Sequence, residues 1–422
     1  MENLSAVILA AGEGIRMNST LPKVLHKIGN QPLLGNVLDN VRAAGISDIF
    51  IITGYKAEFV EAYVADRARC VRQKELLGTA DAVWQIKNEF IAKSSNARLL
   101  VINGDTPLIS VLTIKNIIEK SLQSNSASTL LTAKIKNPFG YGRIVRNVSG
   151  NIVKIVEEND ADVYQKAIEE INAGLYLFKV GELFAAIEKI RQDNQKKEYY
   201  LTDVIEKMRG KNLSIDTIEA QDVNEIIGIN SRKGLSEAYN VLKQRVIDEV
   251  VKGGVTVLDP QTTYIAENVK IGKDTIIYPL TIIDSDVFIG ENCSIGPFCH
   301  VRSGCRIEND VSVGNFVEIN RSHIGKFTRL KHQSYIGDTI IKGNVNIGAG
   351  TIVANYDGKN KHKTLIDKGA FIGSGTILVA PVKIGKEAVT GAGAVVTKNS
   401  DVPDKTVVVG VPAKEIKKKR VS

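Results

Sequence analysis

The stretch DVFIGENCSIGPFCHVRSGCRIENDVSVG, residues 286–314, decides the fold of the second half of this 422-residue chain. Aliphatic residues recur in it at every sixth position, and the same spacing continues on both sides. Ten anchors share one register: Ile265, Ile271, Ile277, Ile283, Ile289, Ile295, Val301, Ile307, Val313 and Ile319. Nine of the ten residues that stand four positions after an anchor are small. A period of six fits neither a helix nor a simple alternating strand, and it predicts a solenoid of short strands with the anchors pointing inward.

The register is interrupted at specific points. After Ile319 the next anchor, Ile324, arrives five residues later, and the same shortening follows Ile336. A polar loop, ANYDGKNK (354–361), interrupts it again before it resumes at Ile366. We therefore predict a left-handed parallel β-helix of hexapeptide repeats over residues 252–422. His332, in RLKHQSYIGD (329–338), lies just after the first slip, which raises the question of a site at that point.

Residues 1–226 have a different pattern. Short apolar runs at Ala6–Ala10, Ile49–Thr53 and Leu99–Ile102 alternate with helical patterns such as Leu33–Ala44. This alternation predicts a mostly parallel, Rossmann-like α/β sheet with ligands at the carboxyl ends of its strands. Between the two halves, residues 227–251 predict a linker helix that Ser231 caps and the following glycine pair ends.

Composition limits the classes of protein to consider. Hydrophobic content of 43% and charged content of 24% are typical of a globular protein, and no apolar run is long enough for a membrane span. The first nine residues do not resemble a secretory signal, so we expect a cytoplasmic protein. Three of the four cysteines follow the repeat spacing and are predicted to be reduced core residues, with a metal site as the alternative.

The net charge of +8 includes a basic tail, KEIKKKR, at residues 414–420. A solvated end explains such a tail, and contact with an anionic cosubstrate is the functional alternative. Binding to nucleic acid is not predicted, because no aromatic residues are interleaved with these charges. Small-molecule substrates are the expected partners.

Two features of the first half indicate phosphate chemistry. LAAGEGIRM (9–17) directly follows the first predicted strand, where glycines allow backbone N–H groups to approach phosphate oxygens and Arg16 adds a cation. Asp105 ends the strand LLVINGD, a good position for a Mg²⁺ ligand. Each feature alone also has a purely structural explanation. LAAGEGIRM can be an ordinary glycine-rich turn, and Asp105 can belong to an Asn-Gly-Asp turn. Lys23, in LPKVLH, can bind phosphate or be a solvated surface lysine.

Taken in order, the motifs of the whole chain resemble those of the bacterial bifunctional N-acetylglucosamine-1-phosphate uridyltransferase / glucosamine-1-phosphate N-acetyltransferase family. In the first half they are LAAGEGIRM, LPKVLH, QKELLGTADA, NGDTPL, GYGRIV, IVEEND, EINAG, EYYLTD and GIN. In the second half they are GPF, RSG, VGNFVE, KHQSYIGD, NIGAGT, ANYDGKNK, GS and LVAPV. The resemblance implies a homotrimer through the β-helix, with Mg²⁺ as cofactor and UTP and acetyl-CoA as cosubstrates.

The resemblance implies residues for each activity. UTP and UDP-N-acetylglucosamine would contact Leu9, Ala10, Ala11, Gly12, Gly14, Arg16, Lys23, Gln73, Gly78, Thr79, Asn103, Gly104, Asp105, Gly142, Glu157, Asn172 and Asn230. Of these, Asp105 and Asn230 would hold Mg²⁺. Glucosamine-1-phosphate would contact Arg302, Glu318, Asn320, Tyr335 and Asn346. Acetyl-CoA would lie near Ala349, Asn355, Tyr356, Lys361, Ser374 and Ala392. His332 is the candidate general base, because its unperturbed pKa lies near neutrality.

This chain departs from the family pattern at several positions. Ile15 stands where threonine is common and Asn103 where tyrosine is common, but neither change removes a metal ligand. Asn320 replaces the usual lysine, with Arg321 beside it, and Gly410 replaces an arginine expected to bind the phosphate of coenzyme A. These two charge losses are expected to weaken binding of the sugar phosphate and of coenzyme A.

Three functions are therefore to be distinguished. The leading one is synthesis of UDP-N-acetylglucosamine through both activities. The second is a sugar-1-phosphate nucleotidyltransferase of other specificity whose β-helix only assembles the trimer. The third is a non-catalytic solenoid binding protein with a degenerate nucleotide domain, against which Arg16, Lys23, Asp105 and Asn230 argue.

Overall fold

The computed structural model describes residues 3–91 and 96–416, and the chain divides into two compact units after Asn240. The helices are α1 Leu33–Ala43, α2 Ala57–Val64, α3 Thr79–Trp84, α4 Val111–Ser124, α5 Val163–Lys166, α6 Val180–Ile187, α7 Asp203–Arg209 and α8 Arg232–Lys252. The division falls within α8, where a linker helix is predicted. The Ser231 Oγ atom accepts a hydrogen bond from the Gly234 N–H at 3.1 Å, as expected of its capping residue.

The N-terminal unit is built on one sheet. Its strands are β1 Leu4–Ala10, β2 Asp48–Thr53, β3 Arg69–Arg72, β4 Arg98–Asn103, β5 Ser128–Lys134, β6 Arg143–Arg146, β7 Ile152–Val156, β8 Glu170–Lys179 and β9 Ile215–Glu219. The spatial order is β9-β5-β8-β4-β1-β2-β3, with β6 and β7 attached beside β8. Strands β1 to β4 are mutually parallel, whereas β8 runs antiparallel to β4 and β5. The predicted mostly parallel α/β sheet is confirmed.

Apolar side chains explain why these strands lie at the centre of the unit. Val7 and Ile8 in β1, like Leu100 and Val101 in β4, are fully buried, and they point alternately to opposite faces of the sheet. Each face packs against its own set of helices, so both faces are covered. A sheet covered on both faces leaves the carboxyl ends of its strands as the open edge for ligands.

The C-terminal unit is a parallel β-helix with three columns of short strands. One column contains Thr256–Val257, Ile276–Ile277, Ser294–Ile295, Asn346–Ile347, Phe371–Ile372, Val389–Thr390 and Val407–Val409. The second contains Tyr264–Ile265, Ile282–Ile283, His300–Val301, Ile352–Ala354, Ile377–Val379 and Val395–Val396. The third contains Lys270–Ile271, Phe288–Ile289, Arg306–Ile307, His323–Ile324, Thr339–Ile341, Thr364–Ile366 and Val382–Ile384. Two longer strands, Ser312–Asn320 and Arg329–Gly337, continue from the first column into the second.

The predicted anchors form the core of this β-helix. Nine of the ten are buried in one continuous apolar cluster, and Ile271 packs against its edge. Each aliphatic side chain removed from water in this way contributes about 1.5–3 kcal/mol. The cysteines Cys293, Cys299 and Cys305 are free and buried in the same cluster, as predicted.

The predicted slips shorten two coils of the β-helix. The number of residues in a coil is the sequence separation between residues paired on neighbouring coils. Ser294 pairs with Ser312, a separation of 18. The next two separations, from Ser312 to Arg329 and from Arg329 to Asn346, are only 17. The next coil is longer, because the polar loop lies between Asn346 and its partner Phe371. Within the residues described, no helix is both long enough and apolar enough to cross a bilayer.

Candidate functional site

The first candidate site lies at the carboxyl ends of β1 and β4. These strands are parallel neighbours with Leu9 opposite Asn103, so the loops that follow them lie side by side. The Gly104 N–H donates to the Leu9 carbonyl at 2.9 Å. A Cβ atom at Gly104 would lie 3.0 Å from that same oxygen, which is tighter than an ordinary contact and favours glycine there.

Three polar side chains converge at the end of β4. The Lys23 Nζ atom forms an ion pair with Asp105 and lies 3.0 Å from the Asn230 Oδ1 atom. Both members of the ion pair are only 14% exposed. The Ile229 N–H donates to the Asp105 carbonyl at 2.9 Å, which fixes the Asn230 segment beside Asp105. The structure thus brings Asp105 and Asn230 together, although they are 125 positions apart in the sequence.

This arrangement fits a hard cation. The Asp105 carboxylate and the Asn230 amide oxygen already bind one cationic group, the Lys23 ammonium, and oxygen atoms are the ligands Mg²⁺ prefers. Among the described residues, no cluster of three or more His, Cys, Asp or Glu side chains is placed to hold a metal ion. Magnesium bound by two protein ligands takes its other ligands from phosphates and water.

A cavity on one side of Asp105 is lined by residues expected to contact the nucleotide. They are Leu9, Ala10, Ala11, Gly12, Lys23, Gln73, Gly78, Thr79, Asn103 and Asp105. The buried Gln73 side chain donates to the Gly78 carbonyl at 3.0 Å and to Asp81 at 2.8 Å. Gly78 has a φ of +119°, and a Cβ atom there would lie 2.5 Å from the Tyr199 carbonyl oxygen. Only glycine fits this turn, which shapes the cavity wall.

A second cavity adjoins the first and shares Asp105 with it. Its walls include the predicted sugar-contacting residues Gly142, Glu157 and Asn172, together with Asn230. The Glu157 carboxylate accepts a hydrogen bond from the Thr202 hydroxyl at 3.0 Å. Burial raises the pKa of Glu157 above its usual value. The two cavities therefore adjoin each other at Asp105.

Three predicted residues lie apart from these walls: Gly14, Arg16 and Gly104, whose N–H binds the Leu9 carbonyl. Gly14 has a φ of +69° and packs directly against Lys23, where a Cβ atom would be 2.6 Å from that of Lys23. Arg16 follows in the 3-10 helix Ile15–Met17, is exposed and lines neither cavity. Conversely, Tyr141 and Thr202 line the sugar cavity although neither was singled out in the sequence. Both belong to motifs of the family resemblance, GYGRIV and EYYLTD.

The second candidate site lies on the second column of the β-helix. The Arg302 Nε atom donates to the Glu318 carboxylate at 2.6 Å, and Glu318 is paired in register with Tyr335 of the next coil. Two positions further, Asn320 is paired with Gly337. Four of the residues expected to bind the amino-sugar phosphate therefore occupy three adjacent coils. The fifth, Asn346, lies in the first column, beside Arg329.

Asp338 organises the polar residues next to them. It accepts two hydrogen bonds from the Arg321 guanidinium, at 2.7 and 2.8 Å, and another from the Asn355 amide. The Arg321 hydrogen bonds are the largest cause of the lowered pKa of Asp338. Arg321 also donates to the Asn320 side chain at 2.8 Å. The cation next to Asn320 is thus held in place by a carboxylate that also holds Asn355.

His332 differs from the other four histidines. His26, His300, His323 and His362 each contact a charged side chain, at 2.6 to 3.3 Å. The His332 side chain is exposed at the corner between two columns, and no hydrogen bond to its ring occurs within the described part of the chain. The His332 backbone carbonyl accepts a hydrogen bond from the Ser334 hydroxyl at 2.8 Å. Its imidazole is therefore available to a substrate.

Three of the six residues expected near acetyl-CoA form a row of small, exposed side chains. The Ala349 carbonyl accepts from the Gly375 N–H at 2.7 Å, and the Ser374 carbonyl accepts from the Gly393 N–H at 2.8 Å. Ala349, Ser374 and Ala392 thus repeat one position in three successive coils. Small side chains in a row leave space for an extended ligand along this edge.

The polar loop forms a small hairpin that carries the remaining predicted residues. Tyr356 pairs with Lys361 across it, and both are exposed. The Asp357 carboxylate accepts from the N–H groups of residues 359 and 360 and lies 2.6 Å from the His362 ring. These hydrogen bonds lower the pKa of Asp357 and keep the turn in one conformation. In the basic tail, Lys414 is exposed in the short strand Lys414–Glu415, and residues 417–420 lie outside the described residues.

Comparison with known proteins agrees with this two-part organisation. A family model described as nucleotidyl transferase matches residues 5–222, and one described as bacterial transferase hexapeptide (six repeats) matches residues 286–321. The chain is similar to proteins named "Bifunctional protein GlmU" from several bacteria. Identity is 42% with that of Thermosipho africanus (96% of this chain, 94% of the relative). It is 39% with that of Carboxydothermus hydrogenoformans (96% and 97%) and 43% with that of Pelotomaculum thermopropionicum (90% of each).

Proposed function

Because this chain belongs to the family of the bifunctional protein GlmU, we propose that it synthesises UDP-N-acetylglucosamine in two steps. Acetyl-CoA first acetylates the amino group of glucosamine-1-phosphate in the β-helix. UTP then transfers its uridylyl group to N-acetylglucosamine-1-phosphate in the N-terminal unit, with release of pyrophosphate. The convergence of Lys23, Asp105 and Asn230 between two adjoining cavities is the observation that supports this function best.

Uridylyl transfer needs no general base, because the attacking phosphate oxygen of the sugar is already an anion. That oxygen attacks the α-phosphorus of UTP, and the bond from this phosphorus to the bridging oxygen of pyrophosphate breaks. The reaction rate therefore depends on alignment and on neutralising the charge of the leaving group. Lys23 supplies a fixed positive charge at the junction of the cavities, and Gln73 and Gly78 shape the nucleotide end.

Asp105 and Asn230 would hold Mg²⁺ beside the phosphates. A bound Mg²⁺ ion neutralises phosphate charge and fixes the orientation of the triphosphate. Both oxygen groups also contact the Lys23 ammonium, which places a second positive charge beside the phosphates.

Acetyl transfer needs a base, because the amino group of the sugar is protonated near neutral pH. His332 takes a proton from this group, and the amine nitrogen then attacks the thioester carbonyl. The carbon–sulfur bond then breaks, the nitrogen loses its second proton, and the thiolate of coenzyme A takes up a proton and leaves as the thiol. Arg302 and Arg321 provide positive charge for the sugar phosphate on the same face, with Arg321 taking the place of the lysine that Asn320 replaces.

Assembly as a homotrimer through the β-helix is part of the proposal. Leu280, Phe298 and Phe316 project from one corner of successive coils and are 43%, 47% and 62% exposed. The two phenylalanine rings stack with their centroids 5.1 Å apart. All three residues have a positive φ, which costs a bulky side chain about 1–2 kcal/mol. An exposed, strained apolar row of this kind is explained by burial against another copy of the chain.

We place this activity in the cytoplasm. All four cysteines are free, and three lie in the core of the β-helix. Burial raises the pKa of Cys299 to about 12, so that its thiol is chemically inert. Free thiols, like nucleotide and acetyl-CoA substrates, fit a reducing compartment.

The proposal is tested by incubating the full chain with glucosamine-1-phosphate, acetyl-CoA, UTP and MgCl₂. We expect release of both the coenzyme A thiol and pyrophosphate, and a product with the mass of UDP-N-acetylglucosamine. Omission of acetyl-CoA should prevent formation of that product. Pyrophosphate release from another nucleotide without any thiol release would support the alternative with a non-catalytic β-helix. No release of either would contradict both transferase functions.

A further inference from the structure

Arg232, the first residue of helix α8, binds both ends of one distant segment of the N-terminal unit, Met17 to His26. Its Nε atom donates to the Met17 carbonyl at 3.2 Å, and its Nη1 atom lies 3.3 Å from His26 Nδ1. Because arginine has only donors, His26 Nδ1 must be the acceptor, and the buried ring is neutral. Burial, followed by the Arg232 charge, lowers the pKa of His26 and favours this neutral form.

These contacts enclose the cationic centre of the nucleotide site. Lys23 lies between Met17 and His26 in the chain and binds the Asn230 Oδ1 atom at 3.0 Å. Asn230 precedes Arg232 by two residues. The segment from Met17 to His26 is therefore attached to the Asn230–Arg232 segment at both ends and in the middle. This closed arrangement fixes Asn230 relative to Lys23 and hence to Asp105.

The conformation at the start of α8 directs Arg232 towards these partners. The Ser231 side chain caps the first turn through the Gly234 N–H, at 3.1 Å. Arg232 lines neither substrate cavity, so it has no direct contact with a ligand held there. The next residue, Lys233, is also basic and exposed, but its ion-pair partner is Glu237 on the same helix. Of these two neighbouring basic residues, Arg232 is the one whose side chain contacts the Met17–His26 segment.

We propose that Arg232 is a positioning residue for uridylyl transfer, which holds Asn230 and the Lys23 segment at a fixed separation. The inference rests on the proposed nucleotidyl transfer and extends the site to a residue outside both cavities. Loss of these bonds should let the two segments move apart by a fraction of an ångström to an ångström. Misplacement of that size costs a positioned reaction up to about 100-fold in rate.

The test compares Arg232→Ala and Arg232→Lys with Lys233→Ala as the matched control. For Arg232→Ala we expect a kcat/KM for pyrophosphate release that is lower by about 10- to 100-fold, because misplacing a reacting group by about 1 Å can cost that much. We also expect a higher MgCl₂ concentration for half-maximal rate, while thiol release from acetyl-CoA stays unchanged. Arg232→Lys keeps a donor for one of the two bonds and should recover part of the rate. Lys233→Ala should match the parent chain.

Hydrogen exchange provides a readout that needs no substrate. Arg232→Ala should speed amide exchange in both segments, 14–26 and 226–231, whereas Lys233→Ala should not. If Arg232→Ala leaves pyrophosphate release and exchange unchanged, or if Arg232→Lys is as impaired as Arg232→Ala, the positioning role is wrong. If the parent chain itself releases no pyrophosphate, the proposed function fails, while the exchange experiment still decides whether Arg232 links the two segments.

Discussion

Replacing Gly337 with alanine would probe the geometry of the β-helix site with one added methyl group. Gly337 ends the strand Arg329–Gly337 and lacks a positive φ, so the backbone accepts alanine. The added Cβ atom would lie 2.7 Å from the Tyr335 hydroxyl and 2.7 Å from the Asn355 amide nitrogen. Since an ordinary carbon contact begins near 3.4 Å, each group must move by about 0.7 Å.

This displacement predicts a selective loss of acetyl transfer. Tyr335 and Asn355 are both expected to contact substrates, and a shift approaching 1 Å in positioning groups costs about 10- to 100-fold. Overpacking should also lower the free energy of unfolding by about 1–3 kcal/mol. Release of the coenzyme A thiol, followed with a chromogenic disulfide reagent, should fall accordingly. Pyrophosphate release by the same polypeptide should be unchanged.

Two further alanine substitutions serve as comparisons. At Gly142 the new Cβ atom would lie 3.0 Å from Ile155 and 3.4 Å from the Glu157 carboxylate, so Gly142→Ala should slow pyrophosphate release and spare thiol release. At Gly181 it would meet nothing within 4 Å, so Gly181→Ala should alter neither. Normal thiol release by a folded Gly337→Ala variant, or equal loss of both activities, would refute the reasoning.

Other predictions concern pH dependence and assembly. Burial and the charge of Glu206 raise the pKa of Asp203 to about 6, so the folded chain binds this proton more tightly than the unfolded chain. The ionised Asp203 carboxylate therefore lowers the free energy of unfolding above about pH 6. Asp203→Asn should raise the melting temperature by more at pH 8 than at pH 4.5. An equal rise at both pH values would contradict this. Phe298 and Phe316 have a positive φ, which asparagine tolerates, so a chain with both Phe298→Asn and Phe316→Asn should keep the β-helix folded. In sedimentation velocity this variant should have the mass of a monomer instead of a trimer. An unchanged trimer would exclude this corner from the interface.

The β-helix could be predicted from sequence because its core depends on local spacing. Each aliphatic anchor must point inward wherever the chain turns a corner every six residues, and so the period alone fixes which side chains are buried. The slips after Ile319 and Ile336 also mark where coils are shortened. A coil shortened to 17 residues places Arg321 beside Asp338, which is 17 positions later.

The nucleotide site could be predicted only in part. Asp105 follows a strand that is visible in the sequence, but nothing local places Asn230 beside it, because that contact depends on the path of the intervening chain. Arg16 follows a left-handed turn at Gly14 and lines neither cavity, which its motif alone does not reveal. Arg232 was missed because its partners are a backbone carbonyl and a histidine more than 200 residues earlier.

The central claim is that one chain carries two independent sites, with His332 in one and Asp105 in the other. It is tested most directly by measuring thiol release and pyrophosphate release from the same preparations of the parent chain, His332→Ala and Asp105→Asn. We predict that His332→Ala abolishes thiol release and retains pyrophosphate release, and that Asp105→Asn lowers pyrophosphate release about 10²- to 10³-fold while sparing thiol release. Loss of both activities in either variant at equal folding, or loss of neither, would contradict the assignment of two separate sites.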